Sequence, residues 1–274
     1  MDNKWSQEQI FEGDAEVYGV AYKFKQSKIP FGKKRKVFFP IVFVVLFVAL
    51  CAMGSGLING VVQVSSSISP NAISLSNMNY YAVNTGSFSS VELASEVATK
   101  IKNLGGAGYV YKHNGEYNVL MYVYSSREDA ISVSQKVTEQ GFNPSILTLE
   151  CGAKNYAYNL SSDDRQTFIN AINSFDSIYS QLYKITNNYD SKQTTISASR
   201  LELITMQKDF ERMYTKFLNT FSNTQDENIV KIIKKLDIVS GELEILVDPL
   251  MLDSNFASLM KHCCINLVIA RYEL

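Results

Sequence analysis

The sequence predicts an α+β protein with one membrane-spanning helix and a C-terminal bundle of α-helices. Three observations support this prediction. A strand-and-helix unit occurs twice, at residues 81–105 and 117–141, with an offset of 36 positions. Residues 37–58 are apolar and uncharged, and residues 161–274 repeat apolar side chains at helical spacing. A duplicated unit of this kind buries its apolar faces in one shared sheet, whereas helical stripes pack against one another.

The N-terminal segment, residues 1–36, is predicted to be a disordered cytoplasmic tail. It is polar with scattered aromatic residues, which is too little apolar surface for a core. Residues 23–36 carry seven basic residues and no acidic residue. This basic run lies directly before the apolar stretch and therefore sets the orientation of that stretch in a membrane.

Residues 37–58 are predicted to form a transmembrane helix. The segment is 22 residues long and has no charge, and a helix of that length spans about 30 Å, the thickness of a bilayer core. Because the basic residues stay inside, the N-terminus is expected in the cytoplasm and the chain beyond residue 60 outside. We expect a single-pass protein of the cell membrane with a signal anchor, since the polar leader is long for a cleaved signal peptide.

The next segment, residues 59–79, is predicted to be a flexible linker. It contains six serines, four asparagines and one proline, a composition typical of tethers. Such a tether lets the following domain reach away from the bilayer.

The duplicated unit occupies a domain at residues 80–150. In the first copy residues 80–88 form a strand, Ser89 and Ser90 cap a helix, and Gly105 ends it. Residues 109–112 and 117–124 form a hairpin about Asn114-Gly115, a dipeptide that favours tight hairpin turns. The second copy continues with a helix capped by Ser125 and Ser126, a stop at Gly141 and a last strand at residues 145–149. The predicted order is β-α-β-β-α-β, a ferredoxin-like split βαβ arrangement with an antiparallel sheet and both helices on one face.

This domain resembles the SPOR domain, the peptidoglycan-binding module of bacterial sporulation and cell-division proteins. The resemblance rests on YAVNTGSFSS at residues 81–90, YNV at 117–119 and YSSREDA at 124–130, with Ala94, Gly105 and Gly141. The order of tail, membrane helix, linker and external domain agrees with a bitopic SPOR protein.

The resemblance implies binding to glycan strands that lack stem peptides, on the open face of the sheet. Strand alternation places Tyr80, Ala82 and Asn84 on one face of the first strand and its other residues on the opposite face. Asn84 stands where the family usually has glutamine. Aromatic rings pack on sugar rings and short polar side chains bind the hydroxyls. The expected glycan contacts are Asn84, Ser87, Asn118 and Tyr122.

Residues 161–274 are predicted to form an α-helical bundle of three or four helices. Apolar residues recur at steps of three and four in four segments, beginning near Phe168, Met206, Ile229 and Phe256. Residues 187–199 are predicted to form the clearest loop. This bundle is a possible binding site for a protein partner.

The sequence indicates no catalytic, metal or cofactor site. Its two histidines, His113 and His262, have no partner at triad or ligand spacing and are expected to be exposed. The four cysteines lack metal-ligand spacing, and the glycines at 105–108 follow a helix instead of preceding one, so they do not form a phosphate loop. The repeat unit lacks the basic surface that nucleic-acid binding requires.

Two functions remain open on this basis. The first is a membrane-anchored, non-catalytic peptidoglycan-binding protein with a localisation or scaffolding role in sporulation or cell division. The second is a membrane-tethered scaffold whose helical bundle binds a protein partner and whose sheet domain is only structural. A regulatory subunit of a wall-processing enzyme is a third option.

Overall fold

A computed structural model describes residues 72–75, 77–248 and 253–274. The predicted cytoplasmic tail and the predicted transmembrane helix at residues 37–58 lie outside these ranges. Within them, no helix is both long enough and apolar enough to cross a bilayer.

An antiparallel sheet of four strands forms the centre of the molecule. Its strands are β2 (Met78–Phe88), β3 (Tyr109–His113), β4 (Glu116–Tyr124) and β5 (Ser145–Cys151), in the spatial order β3-β4-β2-β5. Helix α1 (Val91–Asn103) connects β2 to β3, and helix α2 (Arg127–Glu139) connects β4 to β5. The predicted β-α-β-β-α-β order is therefore confirmed, with the last strand two residues longer than predicted.

The internal repeat is visible in the structure. The N-cap Ser90 of α1 accepts a hydrogen bond from the Leu93 amide, and Ser126 of α2 accepts one from the Asp129 amide. Each helix has 13 residues and is followed by a glycine with positive φ, 82° at Gly105 and 87° at Gly141. Caps, lengths and stops all repeat at the predicted offset, because the same local interactions start and end both helices.

The segment before the sheet differs from the sequence prediction. Strand β1 (Ala72–Ser74) pairs antiparallel with β6 (Asn155–Ala157) and lies within the predicted flexible linker. Ile73 is only 1% exposed and joins the main hydrophobic core. The serine-rich composition did not indicate a strand here. The buried Ile73 pairs with Tyr156, about 80 residues later in the chain.

Four helices follow the sheet: α3 (Ser162–Asp190), α4 (Ile196–Phe221), α5 (Glu227–Val247) and α6 (Phe256–Glu273). The predicted loop at residues 187–199 is shorter in the structure, since α3 continues to Asp190 and α4 starts at Ile196. The ring of Tyr189, in the additional turn of α3, packs edge-on against Phe256 with ring centroids 5.1 Å apart. The Thr195 hydroxyl caps α4 by accepting from the Ala198 amide.

The sheet is covered on both faces. Ala94, Ala98 and Ile101 of α1 pack with Val119 of β4 on one face. On the other face, α6 contacts β4 and β5, and α3 packs along α6. Sheet and C-terminal helices share one hydrophobic core, so the two segments are packed together in this structure.

Candidate functional site

Three of the four predicted contact residues form one hydrogen-bonded cluster. The Asn84 amide nitrogen donates to Asn118 Oδ1 at 2.9 Å and to Ser87 Oγ at 3.0 Å. The Ser87 hydroxyl donates to the same Asn118 oxygen at 2.8 Å. Ser145 lies on the other side of Asn84, with its Oγ 3.4 Å from the Asn84 nitrogen. We call these four residues, which come from β5, β2 and β4, the polar row.

A local irregularity in β2 positions the row. The pairing of β2 with β4 shifts register on both sides of Asn84. Within this stretch the Thr85 hydroxyl donates to the Val119 carbonyl at 3.0 Å. This hydrogen bond satisfies a carbonyl group of β4 that has no register partner in β2. Irregularities of this kind re-aim side chains at sheet ends. Ser87 thereby reaches Asn118, its register partner.

The amide groups of the row are buried but satisfied. Asn84 is 4% exposed and Asn118 is 7% exposed. The Asn118 nitrogen lies 3.4 Å from the Glu116 carbonyl and 3.5 Å from the Tyr111 carbonyl, and Asn84 Oδ1 accepts from the Gly86 amide at 3.3 Å. Because each amide is held from several sides, the row is fixed in place, and Ser87 and Ser145 are its exposed members.

An open groove of about 540 Å³ lies beside the row. It is lined by residues 84–88 of β2 and residues 143–145 before and at the start of β5, and none of these lining residues is charged. The Phe88 ring lies over Gly86, where an added Cβ would come within 2.7 Å of the ring. The groove thus combines amides and hydroxyls with the apolar surfaces of Phe88 and Pro144, a composition that suits a polar ligand with apolar faces.

Tyr122, the fourth predicted contact, lies elsewhere. It is 2% exposed, and its ring stacks on that of Tyr183 from α3 with centroids 5.6 Å apart. The Lys261 ammonium lies 5.7 Å from the ring centre, and the Cys264 sulfur lies 3.9 Å from the hydroxyl. The expectation of a fully open sheet face is therefore wrong for this structure, because α3 and α6 cover that face around Tyr122.

The helices that cover the sheet are bonded to it by polar groups as well. The Tyr80 hydroxyl donates to the Asp176 carboxylate, the Tyr109 hydroxyl to Asn266, and the Ser258 hydroxyl to the Gly106 carbonyl. Burial raises the pKa of both tyrosines, so both phenols stay protonated. The sequence did not reveal these partners, which lie 96 to 157 positions apart.

The groove residues after α2 were also missed. The sequence analysis predicted only a strand start at Ser145 in the stretch 143–145, and the Asn84 amide nitrogen lies 3.4 Å from the Ser145 hydroxyl. The asparagine, proline and serine after the Gly141 stop are a turn signal, but a turn signal does not tell which strand end lies beside it.

The histidines are more enclosed than predicted, and the three cysteines that the structure describes are buried. His113 ends β3 and stacks on Tyr111, and the side chain of His262 is 28% exposed and lies 4.7 Å from the Tyr109 ring. Burial lowers the pKa of His262 to about 4. Cys151, Cys263 and Cys264 are buried free thiols whose pKa values are raised by burial. In the ranges that the structure describes, no cluster of three or more potential ligands could hold a metal ion.

Comparison with known proteins identifies the sheet domain. Residues 77–148 match the family model of the SPOR domain, which covers about a quarter of the chain. SPOR domains bind peptidoglycan glycan strands and are not catalytic. No curated protein matches the chain, and no solved structure does. The helices α3 to α6 lie outside the matched segment.

Proposed function

We propose that this protein is a membrane-anchored, non-catalytic receptor for peptidoglycan glycan strands that lack stem peptides. Its role is localisation or scaffolding in cell division or sporulation. The observation that carries the proposal is the SPOR match at residues 77–148, with the uncharged groove inside the matched segment.

The chemistry of the groove supports a sugar ligand. Denuded glycan is a chain of sugar rings with hydroxyl and acetamide substituents, and removal of the peptides leaves one lactyl carboxylate on every second ring. Asn84, Ser87 and Asn118 supply both donors and acceptors, and Phe88 supplies an apolar wall. These three polar residues are the proposed contacts. Tyr122 can contact a glycan only after α3 and α6 have moved away from the sheet.

The proposed location is the cell membrane, with a cytoplasmic N-terminus and the described domain outside. The uncharged stretch at residues 37–58 and the basic run before it support this topology. A receptor anchored in this way lies within reach of the wall.

The test is co-sedimentation of the purified full-length chain with sacculi, before and after amidase treatment that removes stem peptides. We expect retention on treated sacculi, and clearly weaker retention of Asn84→Ala, since the Asn84 amide joins both neighbours in the row. Asn103→Ala is the matched control, because this asparagine is exposed at the end of α1. Equal retention on treated and untreated sacculi, or none, overturns the proposal.

A second candidate function is a protein-interaction scaffold, and one observation favours it. Ile238 and Ile245 of α5 are 43% and 54% exposed and lie two helical turns apart on one side of the helix. In that case an Ile238→Asp/Ile245→Asp double variant mislocalises a fluorescent fusion, whereas Asn84→Ala leaves it in place. The opposite pattern supports the glycan receptor.

A further inference from the structure

A pair of stacked aromatic rings lies at the edge of the sheet, next to the polar row. The rings of Tyr111 and His113 have centroids 5.6 Å apart and planes inclined by 20°. Both residues belong to the edge strand β3 and are half-buried. Since they are two positions apart in a strand, they project from the same face.

That face is the one from which the row projects. Tyr111 is the register partner of Asn118, and Asn84 is the register partner of Ser145. Register partners in antiparallel strands project side by side, with Cβ atoms about 5 Å apart. The polar row and the aromatic pair therefore form one continuous surface across all four strands. This surface is about 14 Å wide, since neighbouring strands lie about 4.8 Å apart.

The C-terminal end of α6 holds Tyr111 in place. Tyr111 packs against the main core, and Tyr272 and Glu273 at the end of α6 lie close to it. Burial and the Glu273 carboxylate raise the pKa of Tyr111, so its phenol remains neutral. After His113 the chain turns at Asn114 and Gly115, which leaves the outer end of the pair at the rim of the sheet.

We propose that Tyr111 and His113 form an aromatic subsite that stacks a sugar ring of the same glycan chain bound at the polar row. This inference rests on the proposed glycan function. A chain seated in the groove runs over Asn118 and reaches the edge strand, where the apolar face of one ring packs on the aromatic pair. The row supplies hydrogen bonds, and the pair supplies apolar contact that only a chain of several sugars reaches.

The experiment measures affinity of the full-length chain for two denuded glycan oligosaccharides, a disaccharide and a hexasaccharide. For His113→Ala and Tyr111→Leu we expect hexasaccharide binding to weaken by about threefold to tenfold, the usual range for an aromatic contact. Disaccharide binding stays unchanged, since a disaccharide seated at the row does not reach β3. Tyr111→Phe retains the ring and retains affinity.

The matched control is Tyr117→Leu. Tyr117 is an equally half-buried tyrosine of the same hairpin, but it packs on the opposite face with the α1 cluster. His113→Ala keeps the test decisive if Tyr111→Leu lowers stability. Wild-type affinity for the hexasaccharide in both His113→Ala and Tyr111→Leu, or the same loss in Tyr117→Leu, overturns the subsite alone. Failure of the wild-type chain to bind either oligosaccharide overturns the proposed function and the subsite with it.

Discussion

The ring of Tyr183 on α3 lies almost parallel to that of Tyr122 on β4, with centroids 5.6 Å apart and planes 12° from parallel. A side chain of the protein's own helix thus covers the sheet tyrosine that was expected to meet a sugar. Tyr179, one turn earlier on α3, contacts Tyr183 at 5.7 Å and Tyr80 of β2 at 4.8 Å. This tyrosine cluster makes the helices part of the same core as the sheet.

The first prediction concerns Tyr122. Replacement by alanine should lower the free energy of unfolding by about 3–5 kcal/mol, the usual cost of deleting a buried aromatic side chain. Tyr122→Phe keeps the ring and should cost less than about 1 kcal/mol. Urea unfolding of both variants checks this. If Tyr122→Phe weakens glycan retention at unchanged stability, the hydroxyl meets the ligand and the helices must open.

The second prediction concerns Asp176. Its carboxylate accepts from the Tyr80 hydroxyl at 2.9 Å and lies 3.4 Å from Nε of Arg271, which is 1% exposed. Asp176→Ala should cost about 3 kcal/mol, because it withdraws the carboxylate from a buried guanidinium. Asp176→Asn keeps an acceptor for Tyr80 and isolates the effect of charge. Thermal unfolding compares the two, and equal stability of wild type and Asp176→Asn would show that the charge contributes nothing.

The third prediction is a pH dependence set by Glu242. Burial raises the pKa of this carboxyl to about 7 from its ordinary value of 4.5. The folded state therefore holds the proton more tightly than the unfolded state. The stabilisation of the folded state by protonated Glu242 is complete below about pH 4.5. It is lost as the pH rises through about 7.

Glu242→Gln mimics the protonated form and still accepts from Asn266. The variant should match the wild type near pH 4.5 and exceed it by roughly 2–3 kcal/mol near pH 8. Urea unfolding at both pH values measures the difference. Glu244→Gln, an exposed neighbour on α5, should leave the pH profile unaltered, and a wild-type profile in Glu242→Gln would contradict the assignment.

The fourth prediction separates two glycines with positive φ. Gly108 has φ of 52°, and a Cβ there would lie 2.2 Å from the Ala98 carbonyl oxygen. Gly115 has φ of 83° but no atom within 4 Å of an added Cβ. Gly115→Ala should lower the free energy of unfolding by about 1 kcal/mol, because only its own backbone conformation is strained. Gly108→Ala should lower the free energy of unfolding clearly more, because the backbone of α1 must also shift. Equal melting temperatures for the two variants would refute the close approach.

Local interactions made much of the fold predictable. Ser90, Ser126, Gly105 and Gly141 act within one turn of their own helices, and Asn114-Gly115 acts within its own turn, with φ values of 52° and 83°. Each such signal depends on neighbours in the sequence. The antiparallel sheet followed from the repeat, because two similar half-units bury their apolar faces by sharing one sheet.

The candidate site was predictable in part. Asn84, Ser87 and Asn118 were expected together and lie together, since all three belong to paired strands of the repeat. Ser145 begins β5, and Asn143 and Pro144 of the groove wall lie in the loop between α2 and β5. Strand β1 was missed for a similar reason, because its partner β6 lies beyond the repeat.

The amino-acid sequence by itself determined the repeated half-units, their caps and stops, and the helical character of the C-terminal segment. These follow from side-chain spacing and from hydrogen bonds between near neighbours. Only the tertiary structure decided how much of the second sheet face is covered, because that depends on where α3 and α6 bury their apolar sides. Amphipathic spacing requires that an apolar face be covered, but it does not specify by which surface.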